Sequence, residues 1–477
     1  MSQSLDKACQ DWDSVKAMSK SGLEASLVKM RAAGVGAAAI DSFTYYYQQL
    51  ESGVTGIIEE SAIAPLAGIP FYGHLQFDED ICAQALAKTV VIKLNGGLGT
   101  SMGLSGPKSL LQVRDGLTFL DVCVRQVLAA RKRYQVRLPI LFMHSFATRA
   151  SCLKHLSQYK NLAVAGLPID FEQSMEPKLL ADTLEPVTWQ ANPDLEWCPP
   201  GHGDIFPSLY DSGVLDQLIA AGFEYAAISN VDNLGAAPSP KLAGWFASTK
   251  ADFAVEVCQR TVNDRKGGHL ARRKADGKII LRELAQTAPE DEQHFTDVRR
   301  HPYFNTNSLW IDLAALKSAL DSRGSVLGLP LIRNTKTVDP TDDASLKVIQ
   351  IETAMGTAVE VFERASVIEV SRARFIPVKK MNELLLLRSD CYELDTSSYQ
   401  LISATDNIPA VDLDPDYYQL IDDFDARIPH PLSLRDAHSL RVHGDVAFGT
   451  GVKIVGDVDL DAAHPETIAD NAVLGEK

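Results

Sequence analysis

Five glycines fall within eleven positions of the run Gly96-Gly97-Leu98-Gly99-Thr100-Ser101-Met102-Gly103-Leu104-Ser105-Gly106, which Pro107 and Lys108 close. A loop so stripped of side chains lets backbone N–H groups approach polyphosphate oxygens, and Lys108 adds a positive charge. Two commoner phosphate loops are excluded by spacing. Gly97, Gly99 and Gly103 give GxGxxxG where a dinucleotide fingerprint needs GxGxxG, and Pro107 separates Gly106 from Lys108 where a P-loop needs Gly-Lys-Ser/Thr. A dehydrogenase and a P-loop NTPase are therefore set aside. A flexible linker is disfavoured, because the continuous apolar run Thr89-Val90-Val91-Ile92-Lys93-Leu94 directly before the loop reads as a buried strand of the parallel type.

Other residues carry chemistry by type and place. Asp232 lies just beyond the predicted strand Tyr225–Asn230, at the sheet edge where α/β ligands bind. It is the candidate Mg²⁺ ligand, since that hard cation takes one or two carboxylates and fills its remaining positions with substrate oxygens and water. The Pro199–Asp204 run fixes a backbone around His202, and Phe304-Asn305-Thr306-Asn307 offers short amides and a hydroxyl along an extended segment. Lys379, preceded by Arg372 and Arg374, supplies a local positive charge. Taken singly, the loop histidine and the Asn/Thr segment read more readily as an ordinary surface group and an ordinary turn. No activated Ser or Cys nucleophile is evident.

The elements that must position these groups follow from periodicity. Leu23, Leu27 and Met30, then Ile40, Phe43, Tyr47 and Leu50, mark two amphipathic helices. Strand-like and helix-like runs then alternate: helix Phe119–Arg133, strand Leu138–Met143, helix Phe146–Tyr159, strand Leu162–Ala165, and later strands Tyr225–Asn230, Phe253–Cys258 and Ile279–Leu284. This alternation predicts an α/β sheet with crossover helices. In the tail, Leu440, Val446, Val452 and Val458 recur every six residues, as do Val442, Phe448, Ile454 and Leu460, the period of a parallel β-helix. The expected domains are a helical segment at 1–87, a catalytic domain at 88–395, and a linker with a small C-terminal coil at 396–477.

Composition narrows the partners. The chain has 477 residues, 46 basic against 62 acidic, and a net charge of −16, a field that repels nucleic acid and anionic lipid. The seven cysteines show no CxxC spacing and the histidines no HExxH, so reduced thiols in the cytoplasm are expected and a zinc site is not. No apolar run approaches the ~18 residues of a membrane span, and the polar start Met1-Ser2-Gln3-Ser4 lacks a signal pattern.

The run from Lys93 to Ser109 resembles the nucleotide loop of the eukaryotic-type UDP-glucose pyrophosphorylases, also called UTP:glucose-1-phosphate uridylyltransferases. Further runs resemble that family in order and spacing: Pro199–Asp204, Ser229–Gly235, Lys266-Gly267-Gly268, Phe304–Trp310, Gln350–Gly356 and Arg372–Lys379. The resemblance implies a Rossmann-like, glycosyltransferase-A-like nucleotidyltransferase domain with a small left-handed parallel β-helix. It implies that Leu94, Asn95, Gly96, Gly97, Gln173, Gly201, His202 and Asp232 bind nucleotide, with Gln173 helping to read the uracil. Asn230, Glu283, Asn305, Thr306 and Asn307 would bind the sugar, Lys108 and Lys379 would act on the reacting phosphates, and Asp232 would hold Mg²⁺.

The expected reaction joins UTP and glucose 1-phosphate to give UDP-glucose and pyrophosphate, reversibly and in line. The chain departs from the resemblance at Leu104-Ser105, where Cys-Lys is usual, and at His269, where threonine is. A broad-specificity or N-acetylhexosamine enzyme and a non-catalytic nucleotide-sugar sensor are the rival readings. A homo-oligomer through the C-terminal domain is a further expectation.

Overall fold

The computed structural model describes residues 21–261 and 264–476. The chain divides into two compact units, each assembled from three separated stretches. The first takes the described residues through Phe77 with Ala165–Ile228 and Leu242–Val370, and the second takes Asp78–Val164, Ser229–Lys241 and Ser371 onward. Both mix helices and strands.

In the first unit, the periodic apolar residues form a helix over 21–32 and the helix Ala37–Glu51. Met30, Phe43, Tyr46, Tyr47 and Leu50 are buried there against Leu179, Leu331, Ile349 and Ile351. Those partners lie on and beside a three-stranded antiparallel sheet of Ile332–Thr337, Lys347–Glu352 and Leu179–Leu180. The helix Ala37–Glu51 starts at Gly36 without a cap from its own chain neighbours. Asp211, at the end of the helix Ile205–Asp211, does this instead, accepting from the N–H groups of Ala38 at 2.9 Å and Ala39 at 3.3 Å.

The main sheet of this unit centres on the ten-residue strand Tyr303–Asp312, which pairs antiparallel with Tyr225–Ile228 and with Phe253–Gln259. Phe253–Gln259 runs parallel to Ala365–Glu369. His269–Arg273 and Ile279–Arg282 form a hairpin whose turn holds Asp276-Gly277, with Gly277 at φ 73°. The sheet here is thus mainly antiparallel, a correction to the crossover pattern expected from sequence. A connection as short as Lys274–Lys278 can return a strand only antiparallel, since a parallel crossover needs a dozen residues or more.

One register slip in this sheet reaches the candidate sugar residues. Val257 stands opposite Asn305 but Glu256 opposite Ser308, so Thr306 and Asn307 are extra residues on the long strand. Asn307 takes the left-handed conformation at φ 53°, which asparagine tolerates better than most residues.

In the second unit, Thr89–Asn95 is buried along its whole length and pairs parallel with Ile140–His144, as its unbroken apolar run predicts. The intervening helix Phe119–Tyr134 opens on a capping box between Thr118 and Asp121. Leu162–Ala165 is not a strand: the chain passes through turns and bends, and of the four only Leu162 is buried. The tail forms four strands, Ala410–Leu413, Ser433–Phe448, Lys453–Ile468 and Val473–Leu474, each parallel to the next. Leu440 stands opposite Val458 and Val442 opposite Leu460, which superimposes the six-residue repeat on itself every third step.

Cys82, Cys123, Cys152, Cys198, Cys258 and Cys391 are free and buried, while Cys9 lies outside the described residues. Among the described residues no helix is long and apolar enough to cross a membrane.

Replacing Asp211 by Ala leaves the start of the helix Ala37–Glu51 without its acceptor, and denaturant titration should show a loss of about 1 kcal/mol, with Asp211→Asn recovering part of it.

Candidate active site

In the second unit, the two arms of the glycine-rich loop pair with each other. Lys108 N donates to Gly97 O at 3.2 Å, Gly99 N donates to Gly106 O at 3.2 Å, and Leu98 stands opposite Pro107. A Cβ added at Gly97 or Gly106 would meet nothing within 4 Å, so this backbone borders open space. At Gly99 a Cβ would lie 2.2 Å from Leu104 Cδ1, so Leu104 packs its side chain onto the loop.

Beneath the loop, Leu94 O accepts from Val231 N at 3.1 Å, which brings the turn after strand Tyr225–Asn230 to the end of strand Thr89–Asn95. Asn95 points into the unit's interior, where its Nδ2 approaches His144 Nδ1 at 3.2 Å. Gly96 O accepts from Ser145 Oγ at 2.9 Å.

Lys108 Nζ donates to Asp232 Oδ2 at 2.7 Å and also to Val378 O. Asn233 binds the same distant stretch, its Oδ1 accepting from Ile376 N at 2.9 Å and its Nδ2 donating to Arg374 O at 3.2 Å. Gly235 completes this seam, since a Cβ there would lie 2.6 Å from Ala373 O. Asn230 O accepts from Asn233 N at 3.2 Å, which closes the turn that carries Asp232. Lys379 is exposed, one residue beyond the Val378 carbonyl that Lys108 holds.

In the first unit, three segments braid through backbone bonds. Thr353 N donates to Pro200 O at 2.9 Å and Gly203 N to Thr353 O at 2.9 Å. Gly201 sits at φ 79°, and a Cβ there would lie 2.5 Å from Thr353 O. Gln173 Nε2 donates to Gly201 O at 2.9 Å. His202 Nδ1 accepts from Met355 N at 3.0 Å, and burial pushes the imidazole down to about 4, so it is neutral at pH 7.

Four of the candidate sugar residues, Glu283, Asn305, Thr306 and Asn307, lie near another pair of glycines in the same unit, whereas Asn230 belongs to the second unit. Gly268 O accepts from Asn305 N at 2.9 Å, and a Cβ at Gly268 would lie 2.5 Å from Glu283 Oε1. Asn305 and Asn307 bind each other, Nδ2 to Oδ1 at 2.8 Å and N to Oδ1 at 3.1 Å in return. Thr306 faces elsewhere, donating its hydroxyl to Glu256 O at 2.6 Å. Glu256 Oε1 in turn accepts from Trp310 Nε1 at 2.9 Å.

Behind these glycines His269 stacks on His301, with ring centroids 3.9 Å apart. Burial pushes His269 well below the usual imidazole range, and the charges of His301 and Arg260 push it the same way. Burial alone would raise the Glu60 carboxyl, but hydrogen bonds from Arg300 and His301 outweigh it and hold the group below the usual range. Arg282, fully buried, donates to Glu60 at 2.6 Å.

The candidate residues thus form three groups: Leu94 to Gly97 with Lys108, Asn230, Asp232 and the Lys379 segment in the second unit, and Gln173-Gly201-His202 and Glu283-Asn305-Asn307 in the first. Sequence reasoning missed the supports Asn233 and Glu256. Asn233 stood within a quoted motif, and Glu256 was legible as one charge inside the apolar run Phe253–Cys258. Among the described residues no group of three or more His, Cys, Asp or Glu side chains forms a metal cage.

A family model described as UTP–glucose-1-phosphate uridylyltransferase matches residues 40–455. The UTP–glucose-1-phosphate uridylyltransferase of Solanum tuberosum is 39% identical over 399 residues, covering 82% of this chain and 81% of that protein. That of Saccharomyces cerevisiae is 40% identical, covering 78% of this chain and 74% of that protein. Among solved structures, a UDP-glucose pyrophosphorylase of Leishmania major in complex with UDP-glucose aligns with a TM-score of 0.89 at 40% identity, covering 96% of this chain and 98% of that one. A Trypanosoma brucei protein described as a UDP-glucose phosphorylase aligns with a TM-score of 0.88 at 41% identity, covering 95% and 98%.

Gly201→Ala would place a Cβ against the Thr353 backbone at a positive φ, and thermal or denaturant unfolding should show a loss of about 2 kcal/mol or more.

Proposed function

The chain belongs to the UTP–glucose-1-phosphate uridylyltransferase family, and on that premise we propose that it forms UDP-glucose and pyrophosphate from UTP and glucose 1-phosphate. The observation that carries the reading is the paired glycine-rich loop, open at Gly97 and Gly106 and closed by the Lys108–Asp232 ion pair.

In this mechanism a phosphate oxygen of glucose 1-phosphate attacks the α-phosphorus of UTP in line. A new P–O bond forms as the bond to the leaving pyrophosphate breaks, with no covalent enzyme intermediate. The chain's contribution is positioning and charge neutralisation. Backbone N–H groups of the loop hold the UTP phosphates, Gln173 reads the uracil edge, and the Gly201–His202 turn supports the nucleotide. Glu283, Asn305 and Asn307 take sugar hydroxyls, while Thr306 and Asn95 act from behind through the bonds described above.

Lys108 exchanges part of its hold on Asp232 for a phosphate oxygen, and the exposed Lys379 meets the developing negative charge. Asp232 is the residue that would hold Mg²⁺. A half-buried carboxylate at a strand end, paired with one lysine, fits a hard cation that takes its other ligands from substrate and water. Bound there, the ion would neutralise charge at the α-phosphate.

The finer fold reading belongs with this proposal. The parallel pairing of Thr89–Asn95 with Ile140–His144 ahead of the phosphate loop supports a Rossmann-like nucleotidyltransferase core. The parallel pairing of each C-terminal strand with the next, with Leu440 opposite Val458 and Lys453 opposite Val473, supports a small β-helix.

Pyrophosphate release with UTP and Mg²⁺ should be strongest with glucose 1-phosphate, against galactose and N-acetylglucosamine 1-phosphates, with ATP and dTTP as nucleotide controls. Equal rates across the sugars would replace this reading with a broad-specificity enzyme, and UDP-glucose binding without turnover would replace it with a sensor. Lys379→Ala should lower kcat by about 100-fold or more with an unchanged melting curve, and an unchanged kcat would remove Lys379 from the mechanism.

A further inference from the structure

Asp204 ends the turn that carries His202, and only 3% of it is exposed. Its carboxylate accepts from Ser174 N at 2.7 Å and Ser174 Oγ at 2.6 Å, and from Ser208 Oγ at 2.7 Å. Ser174 directly follows Gln173, so one carboxylate ties the Gln173 segment to the His202 turn and to the helix Ile205–Asp211 behind it. The direct bond from Gln173 Nε2 to Gly201 O runs alongside this tie.

A second acid faces Asp204 across a cavity of about 20 Å³, which has room for one water. This is Glu176, 3% exposed, whose Oε1 has no hydrogen-bond partner. Ser42 and Tyr46 also border the cavity, Asp211 faces Asp204 from its own helix, and Glu352 faces Glu176. Burial and the neighbouring Asp204 and Glu352 charges push the Glu176 carboxyl well above the usual range, while burial raises Asp204 to about 6 against its three hydrogen bonds.

We propose that Asp204 is a positioning residue for nucleotide binding: ionised, its carboxylate locks Ser174, and with it Gln173, against the Gly201–His202 turn, and on taking up a proton it loosens them. A carboxylate accepts from all three donors, whereas a carboxylic acid carries a donor of its own, so at least one bond must break or reverse. The inference rests on the nucleotide-binding role proposed above for Gln173 and His202.

The test is UDP-glucose binding by calorimetry, because that ligand's diphosphate does not titrate between pH 5 and 8. Wild-type affinity should fall about three-fold or more between pH 7.5 and 5.5, whereas Asp204→Asn should bind about ten-fold more weakly than wild type at pH 7.5 and show no such pH dependence. Saturated kcat should change far less than the KM for UTP. Stability runs the opposite way. A carboxyl raised to about 6 in the fold costs stability as pH rises through that value, so the melting temperature of Asp204→Asn relative to wild type should be higher at pH 7.5 than at 5.5.

A merely structural role would move affinity and stability together. Wild-type affinity in Asp204→Asn at pH 7.5, or the same pH profile in both proteins, would overturn the proposal. Should that variant not fold, Ser174→Ala serves: weaker binding with wild-type melting is expected, and unchanged binding overturns the proposal. A wild-type chain that neither binds UDP-glucose nor releases pyrophosphate overturns the functional reading and this inference together, whereas an active wild type with an indifferent Asp204→Asn overturns the inference alone.

Discussion

An ammonium group shared between a carboxylate and a carbonyl joins three parts of the second unit that lie far apart in sequence. Lys108 reaches Asp232 and Val378 O, and around this junction the glycine-rich loop, the turn after strand Tyr225–Asn230 and the stretch leading to Lys379 take their places. Half-buried charges of this kind are poorly served by water. Removing one partner would leave the other without compensation, so the junction acts all-or-none. In the mechanism proposed above the same lysine is committed twice, to holding its neighbours and to meeting a polyanion, so ligand arrival would redistribute its bonds rather than fill an idle charge.

The first unit solves a different problem with different means. Its candidate ligand groups are glycines, amides, a neutral imidazole and the Glu283 carboxylate, and a further set of strong charges sits behind them, in the Glu60, Arg282 and Arg300 cluster under the His269–His301 stack. A buried guanidinium is tolerated because carboxylates answer it at hydrogen-bond distance. That arrangement places a hydrogen-bonded polar floor under Gly268 and Asn305.

Much of this was legible in the residues. Apolar spacing of Leu23, Leu27, Met30 and of Phe43, Tyr47, Leu50 reflects one-sided burial, and the unbroken run Thr89–Leu94 reflects burial on both faces of a strand, so local pattern and tertiary role coincide. The mainly antiparallel pairing of Tyr303–Asp312 was not legible, because strand direction is decided by partners remote in the chain. The bulge at Thr306-Asn307 likewise exists only as a mismatch with Glu256-Val257 on the neighbouring strand. Asp204 stood inside a quoted motif yet gave no sign of its role, since its partner Ser174 is thirty residues away. Leu162–Ala165 erred the other way: four apolar residues suffice for a strand-like pattern but not for a strand.

Each unit is built from three separated stretches, and this orders the events of synthesis. The first unit needs residues near Phe77 and residues up to Val370 before its sheet can close, so its early helices must wait for strands such as Lys347–Glu352 to leave the ribosome. The C-terminal strands from Ser433 onward carry no such delay, since each finds its next parallel neighbour about one coil further along the chain and loop closure costs little. The last coils to emerge are among the quickest to pair, while the first helices to emerge are exposed longest. The apolar faces of those helices are thus the surfaces for which a nascent chain most needs protection from aggregation.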